Sequence, residues 1–326
     1  MSTFAFRSAC VAFVASAFIT PLPAAAAPSD RPIELIVPGP AGGTPDVLSR
    51  LFGEQLGARL GQPVIVINRP GASGFIGVQA AAQAKPDGHT LLMGFAQTMA
   101  VNPVAYNTIP YDPIEDFEPI ARLVDFELVL AVPGSLPVDD VKGLAAWMKE
   151  NPERLSFGSF GAGSPSQFAG EVFAQSTGVA AQHVPYKGSS QLVPALAAGD
   201  VQYGFVVLQV AQALAEAGRI KILATTGNER QAAAPGIPTL KEAGYGEVQA
   251  TGWYGLYAPK GTPPATIERI GQAAQSVIQD PALQEKLLGQ GVRPAFMGKP
   301  EFDDYTPGEI AYWRGIVEKT GFTARD

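Results

Sequence analysis

Cysteine occurs once in the 326 residues, at Cys10, and histidine twice, at His89 and His183. Cys10 falls in the N-terminal segment that reads as an export signal. The rest of the chain therefore has no disulfide, no thiol nucleophile and no cysteine metal site. Neither histidine has a second ligand at metal-binding spacing, so both read as structural or exposed. No G-x-S-x-G nucleophile elbow occurs. Charged residues form only 16% of the chain and sum to a net charge of −7, which excludes the basic face of a general nucleic-acid binder. Low-complexity tracts and fixed-period repeats are also absent beyond the N-terminal segment.

That segment, residues 1–27, has Arg7 as its one charge, an apolar stretch at 11–19 and an Ala-rich end at 24–27. It reads as a cleaved secretory signal cut near Ala27, which places the mature chain in the periplasm. An uncleaved anchor is the alternative, but Pro21 and Pro23 interrupt the apolar run before it reaches the roughly 20 residues of a span. Losing Arg7 would leave a net charge of −8 (22 basic against 30 acidic residues). An anionic ligand is still permitted if backbone dipoles supply the attraction.

What remains is rich in apolar runs, 46% hydrophobic overall, and long enough for two cores. Runs at 33–37, 64–68, 90–94, 127–132, 155–159, 201–207, 220–225 and 253–258 read as buried strands. Helical segments alternate with them, at 45–60, 141–150, 165–177 and 190–198, followed by 264–279, 281–289 and 307–319. The alternation predicts an α/β protein with a mainly parallel sheet in each of two lobes. Proline-rich punctuation at 102–103, 109–113 and 118–119, and again at 235–239, puts two hinge crossings near 123–126 and 250–253. Lobe 1 is then 28–126 plus 250–326, and lobe 2 is 127–249.

Three turns carry the chemistry. Residues 38–46, Pro-Gly-Pro-Ala-Gly-Gly-Thr-Pro-Asp, join a strand to a helix, with Thr44 as a cap and Pro45 in the first turn. Glycines allow close backbone approach, and the open amides of a helix start attract anions. Residues 155–167 repeat the pattern, with Ser164 as cap, Pro165 at the first helical position and Gln167 at capping-box spacing. Facing each other across a cleft, the two helix starts would hold a dicarboxylate from both ends. A third turn, 183–190, enters another helix with serine hydroxyls beside Lys187. Asp46 is either a dipole partner of its own helix or a seat for a ligand amine, and Gln167 either a cap or a ligand contact. Phe95, Phe160, Phe205 and Trp253 are candidates for a pocket wall, or simply core. A bulky residue at Gly42 is expected to weaken binding and spare the fold.

Residues 71–77 match the spacing of a G-x-x-G-x-x-G dinucleotide loop in the wrong context. Arg69-Pro70 separates the glycines from the strand, no acidic residue ends the next strand, and no Tyr-x-x-x-Lys pair exists. A nucleotide-dependent oxidoreductase is the distant alternative, and no cofactor is expected.

Together the turn at 38–46, Asn-Arg-Pro-Gly-Ala-Ser-Gly at 68–74, Lys-Pro-Asp-Gly-His-Thr-Leu-Leu at 85–92, Ile-Pro-Tyr-Asp-Pro at 109–113, Val-Pro-Tyr-Lys-Gly at 184–188 and Trp-Tyr-Gly-Leu-Tyr-Ala-Pro at 253–259 resemble the Bug family. These are the periplasmic receptors of tripartite tricarboxylate transporters, and the resemblance runs along nearly all of the chain after the signal. It implies a two-lobed Venus-flytrap fold of the type II periplasmic binding proteins. It also implies a non-catalytic role, capturing a small organic carboxylate for membrane partners; we expect a monomer. A sensor receptor of the same fold is the alternative. Carried onto this chain, the cradle falls on Ala41, Gly42 and Gly43, on the loop from Ser159 through Phe160 to Ser164, and on Tyr186, Gly188 and Ser189, with Asp46, Gln167 and Phe205 as further candidates. Gln167 departs from the family, where His is common, so members' ligand preferences do not transfer directly.

Overall fold

The computed structural model describes residues 31–322 except 232 and 233, so the expected export signal lies outside the described residues. Apolar runs become strands wherever both faces are covered. The first is β1 (Ile33–Val37), followed by α1 (Thr44–Leu60), β2 (Val64–Asn68), α2 (Phe75–Ala82) and β3 (Thr90–Phe95). A wide turn, Gln97–Val101, leads into the short α3 (Asn102–Ala105) and then the long β4 (Phe117–Pro133). The next elements are α4 (Val141–Glu150), β5 (Ser156–Ser159), α5 (Pro165–Thr177), β6 (Gln182–Pro185), α6 (Ser189–Ala198), β7 (Tyr203–Val207), α7 (Leu208–Glu216) and β8 (Ile220–Thr225). Return strand β9 (Thr251–Pro259) precedes α8 (Pro264–Ile278), α9 (Pro281–Gly289), β10 (Val292–Gly298) and α10 (Lys299–Thr320).

Two sheets share one strand. In the first, the order is β2-β1-β3-β9-β4, with β10 on the far side of β4; in the second it is β6-β5-β7-β4, with β8 beyond. Residues 117–127 of β4 pair with β9, and residues 128–133 pair with β7 and β8. Each sheet has a parallel set, β2-β1-β3 and β6-β5-β7, as expected. Its remaining ladders are antiparallel, because a chain that leaves one sheet along β4 and comes back along β9 must run the opposite way on return.

The expected strand at 127–132 is only the second half of β4. Pro119 looked like loop punctuation, but it sits at a register shift between Pro119 and Ala121, where the ladder tolerates a residue that cannot donate. Likewise α10 begins at Lys299 rather than at 307 and runs through Pro307. Phe302, Thr306, Trp313 and Val317 line its buried face and hold it against the sheet despite the missing amide. Glu309 Oε2 accepts from the indoles of Trp253 on β9 (3.0 Å) and Trp313 (3.3 Å). Phe168 of α5 packs on Trp313 and Phe322, so α10 braces both sheets.

Candidate functional site

A cleft of about 950 Å³ opens where the parallel strands end. Its wall is built from the turns that follow β1 (Pro38–Pro45), β2 (70–74), β3 (95–97), β5 (160–162) and β6 (185–191), plus Val207 at the end of β7. Phe126 of β4 and Gly252, Trp253 and Tyr254 of β9 complete it. Ligands in α/β proteins sit at these carboxyl ends because helix starts converge there. Lys187 is the one charged side chain among the described lining residues, and no aspartate or glutamate lines the cleft.

In the first turn, Gly42 adopts φ +76°, and its amide donates to Asp46 Oδ2 at 2.8 Å. Asp46 is 4% exposed and pairs through Oδ1 with Arg50 at 2.9 Å. Burial opposes its charge, but the Gly42 amide, Arg50 and Asn68 outweigh that and hold the carboxyl below its usual range. Neither Gly42 nor Asp46 lines the cleft, whereas Ala41, Gly43 and Thr44 do. The cap of α1 is Gly43, not Thr44. Thr44 is 5% exposed and its Oγ1 has no hydrogen-bond partner, nor does its amide have one among the described residues.

The second turn is closed on itself. Ser164 Oγ accepts from the Gln167 amide and caps α5, while Gln167 Oε1 accepts from the Gly163 amide at 2.8 Å. Gln167 Nε2 donates to Glu171 at 2.7 Å, so both ends of this side chain have structural partners. Ser159 Oγ donates to the Gly161 carbonyl and accepts from its amide, which leaves the short 2.7 Å contact with His183 to be donated by Nε2–H. Burial pushes the His183 imidazole down to about 4, in keeping with this neutral form, and its ring stacks on Phe157. Of this turn only Phe160, Gly161, Ala162 and Pro165 line the cleft; Ser159, Ser164 and Gln167 lie behind them.

The third turn is open. Gly188 precedes α6 with φ +102°, its amide held by the Phe160 carbonyl at 3.1 Å, and the Lys187 amide is held by Gln191. The amides and hydroxyls of Ser189 and Ser190 have no partner among the described residues, and both line the cleft beside Tyr186 and Lys187. Phe205 is 0% exposed, packs on Phe173, and gives only its carbonyl to Ser166. It lies one layer below Val207, which is the residue of that strand lining the cleft.

Sequence reasoning did not include residues 70–74, Gln97, Phe126 or Tyr254 in the site. The signal available was position, since each of the first two follows directly on a parallel strand. Ala72 and Ser73 are non-glycine residues at φ +46° and +52°. Ser73 bonds the Tyr106 hydroxyl at 2.7 Å; Tyr106 (3.3 Å) and Gln97 (3.4 Å) both donate to the Ala162 carbonyl, across the cleft. Tyr254 is flanked by Phe95 (5.8 Å between centroids) and stacked on Phe126 (5.1 Å).

A family model described as the tripartite tricarboxylate transporter family receptor matches residues 48–322. Protein BugT of Bordetella pertussis is 35% identical over 311 residues, with 95% of each chain covered. Among solved structures, the R. palustris protein Rpa4515 with adipate superposes with a TM-score of 0.87 at 32% identity, covering 90% of this chain and 98% of that one. MatC from Rhodopseudomonas palustris with bound malate gives 0.81 at 27% identity, covering 88% and 99%. With this fold, this cleft and a match over most of its length, the chain belongs to the tripartite tricarboxylate transporter receptor family, that of the Bug proteins.

Proposed function

We propose that this protein is a monomeric extracytoplasmic receptor that captures a small organic carboxylate between its lobes and delivers it to the membrane subunits of a tripartite tricarboxylate transporter. The lobes are residues 28–126 plus 250–326 and residues 127–249, and their closure excludes water from the bound anion. The observation that carries the reading is the charge of the cleft. In a chain of net charge −7, its wall holds one lysine and no carboxylate. There, the starts of α1 and α6 and the unpartnered hydroxyl of Thr44 supply donors. The adipate and malate held by the two R. palustris proteins support a carboxylate ligand. Among the described residues no helix is long and apolar enough to cross a membrane.

The test is thermal denaturation of the purified mature protein against a broad panel of mono- and dicarboxylates, with a nicotinamide dinucleotide as control. A ligand at 100 times its Kd adds about 2.7 kcal/mol to the native state, which reads as a rise of several degrees in Tm. A response to the dinucleotide alone would favour an enzyme, and silence across the whole panel would remove the receptor reading. Delivery is tested separately, by uptake of the bound compound in cells with and without the membrane subunits.

A further inference from the structure

We propose that the carboxyl of Glu127 is a proton switch for lobe closure, favouring the arrangement seen here when neutral and a more open one when ionised. The inference rests on the receptor reading for its two moving lobes. Glu127 stands at the crossing between the sheets: it is the last residue of β4 to pair with β9, opposite Thr251, and Leu128 is the first to pair with β7. A rotation of one sheet against the other would turn about this point. Polar atoms from both sides gather there. The carboxyl lies over Gly227, where a methyl group would collide with it. Gln231 of the same loop is close enough for its amide dipole to favour the charge, yet forms no hydrogen bond with it. Gln231 Oε1 also lies 3.0 Å from a methyl built on Gly291, which would meet Leu208 at the start of α7. Gln209 and Gln290 are next in the chain to Leu208 and Gly291. Glu127 Oε2, Gln209 Oε1, Gln290 Oε1 and both polar atoms of Gln231 are buried without a hydrogen-bond partner, five of the eleven such side-chain atoms among the described residues. The junction is therefore under-bonded in this arrangement, and a rotation that admits water would relieve it.

Three charged groups face the carboxyl. Arg293 of β10 attracts its charge but is already held by Asp125 at 2.8 and 3.0 Å, while Asp125 of β4 and Glu229 of the loop after β8 repel it. Burial is the largest influence, and together with the two carboxylates it outweighs Arg293 and Gln231 and raises Glu127 above the usual carboxylate range. A proton relieves the junction without any rotation, because a neutral carboxyl needs less solvation and offers an O–H donor to acceptors that lack one. The arrangement it favours has the two sides of the cleft in contact, through Tyr106, Gln97 and the Ala162 carbonyl. A fall in pH would thus close the empty receptor, and a rise would open it.

Small-angle scattering of the mature protein without ligand, recorded in steps from about pH 5.5 to about pH 8, tests this. His183, which titrates near 4, stays outside that window. The wild-type radius of gyration, roughly 19 Å for a compact chain of about 300 residues, should be larger by a few per cent at the higher pH. Glu127→Gln, neutral throughout, should keep the smaller radius at both ends of the range. Glu229→Gln removes an exposed repelling charge and should move the midpoint of the change to lower pH. A wild-type radius that does not change with pH, or a Glu127→Gln variant that changes as the wild type does, would overturn the inference. Should Glu127→Gln not fold, Glu229→Gln decides, and a midpoint that stays in place would overturn it equally. No ligand is present, so such a failure leaves the receptor reading to the carboxylate panel.

Discussion

Thr44 Oγ1 is a buried hydroxyl without a partner beside the first amides of α1, an arrangement that costs folding free energy on the order of 1–3 kcal/mol. Thr44→Val keeps the shape and removes that cost. Its Tm should therefore be unchanged or higher, while calorimetry should show carboxylate affinity reduced by about tenfold or more, since a hydrogen bond to a charged group contributes roughly 1.5–3 kcal/mol. Gly42 behaves in the opposite way. Its amide is committed to Asp46 and its φ is +76°, so Gly42→Val should lower stability by roughly 1–2 kcal/mol and affect affinity less. The sequence-based expectation puts the effect of a bulky Gly42 on binding and spares the fold; the Gly42 amide's bond to Asp46 moves our prediction to stability, and a glycine turn does not reveal which of its amides a neighbouring carboxylate takes. Asp46 and Gln167 illustrate the same limit: both were readable as helix-start residues, and only the fold shows their side chains turned back on their own turns. His183 gives a pH signature. Its folded value of about 4 lies below the roughly 6.5 of an unfolded chain, so between these pH values the unfolded state binds more protons. Stability is full above about pH 6.5 and falls by up to about 3 kcal/mol as pH drops towards 4, less the share that solvent screens from a partly exposed ring. His183→Gln should flatten that slope in denaturant melts recorded from pH 7 to 4.5; an equally steep slope would assign it to other groups.

Among elements, the parallel strands were legible because strands covered on both faces must be apolar throughout, as in β1, β3 and β7. Strands that carry proline were not: β4 holds Pro119 and β10 holds Pro294, each at a shift of register that lets the ladder continue. Short β6 and the glycine-led α2 lacked enough periodic residues to stand out. The turns of the site could be read because strand, glycine and helix start recur in fixed order. Their pairing across the cleft could not, since it depends on Tyr106 and Gln97 reaching Ala162 from the other sheet. We propose that these two donors latch the two sides of the cleft together. Tyr106→Phe should therefore weaken binding by roughly three- to tenfold, the worth of one neutral hydrogen bond, with the ligand-contacting residues untouched. Small-angle scattering should show a larger radius of gyration without ligand than for the wild type. An unchanged radius and affinity would mean the contact does no latching.

The whole molecule is two sheets sharing β4, returned through β9 and braced at the back by α10. That plan leaves the cleft as the place where helix starts and one lysine meet, and it is why an acidic chain can attract an anion. A crystal structure with the tightest-binding carboxylate tests this most directly. The account predicts carboxylate oxygens within hydrogen-bond reach of Thr44 and of the Ser189 and Ser190 amides. A carboxylate seated instead at the α5 turn, or a ligand bound outside the cleft, would contradict it.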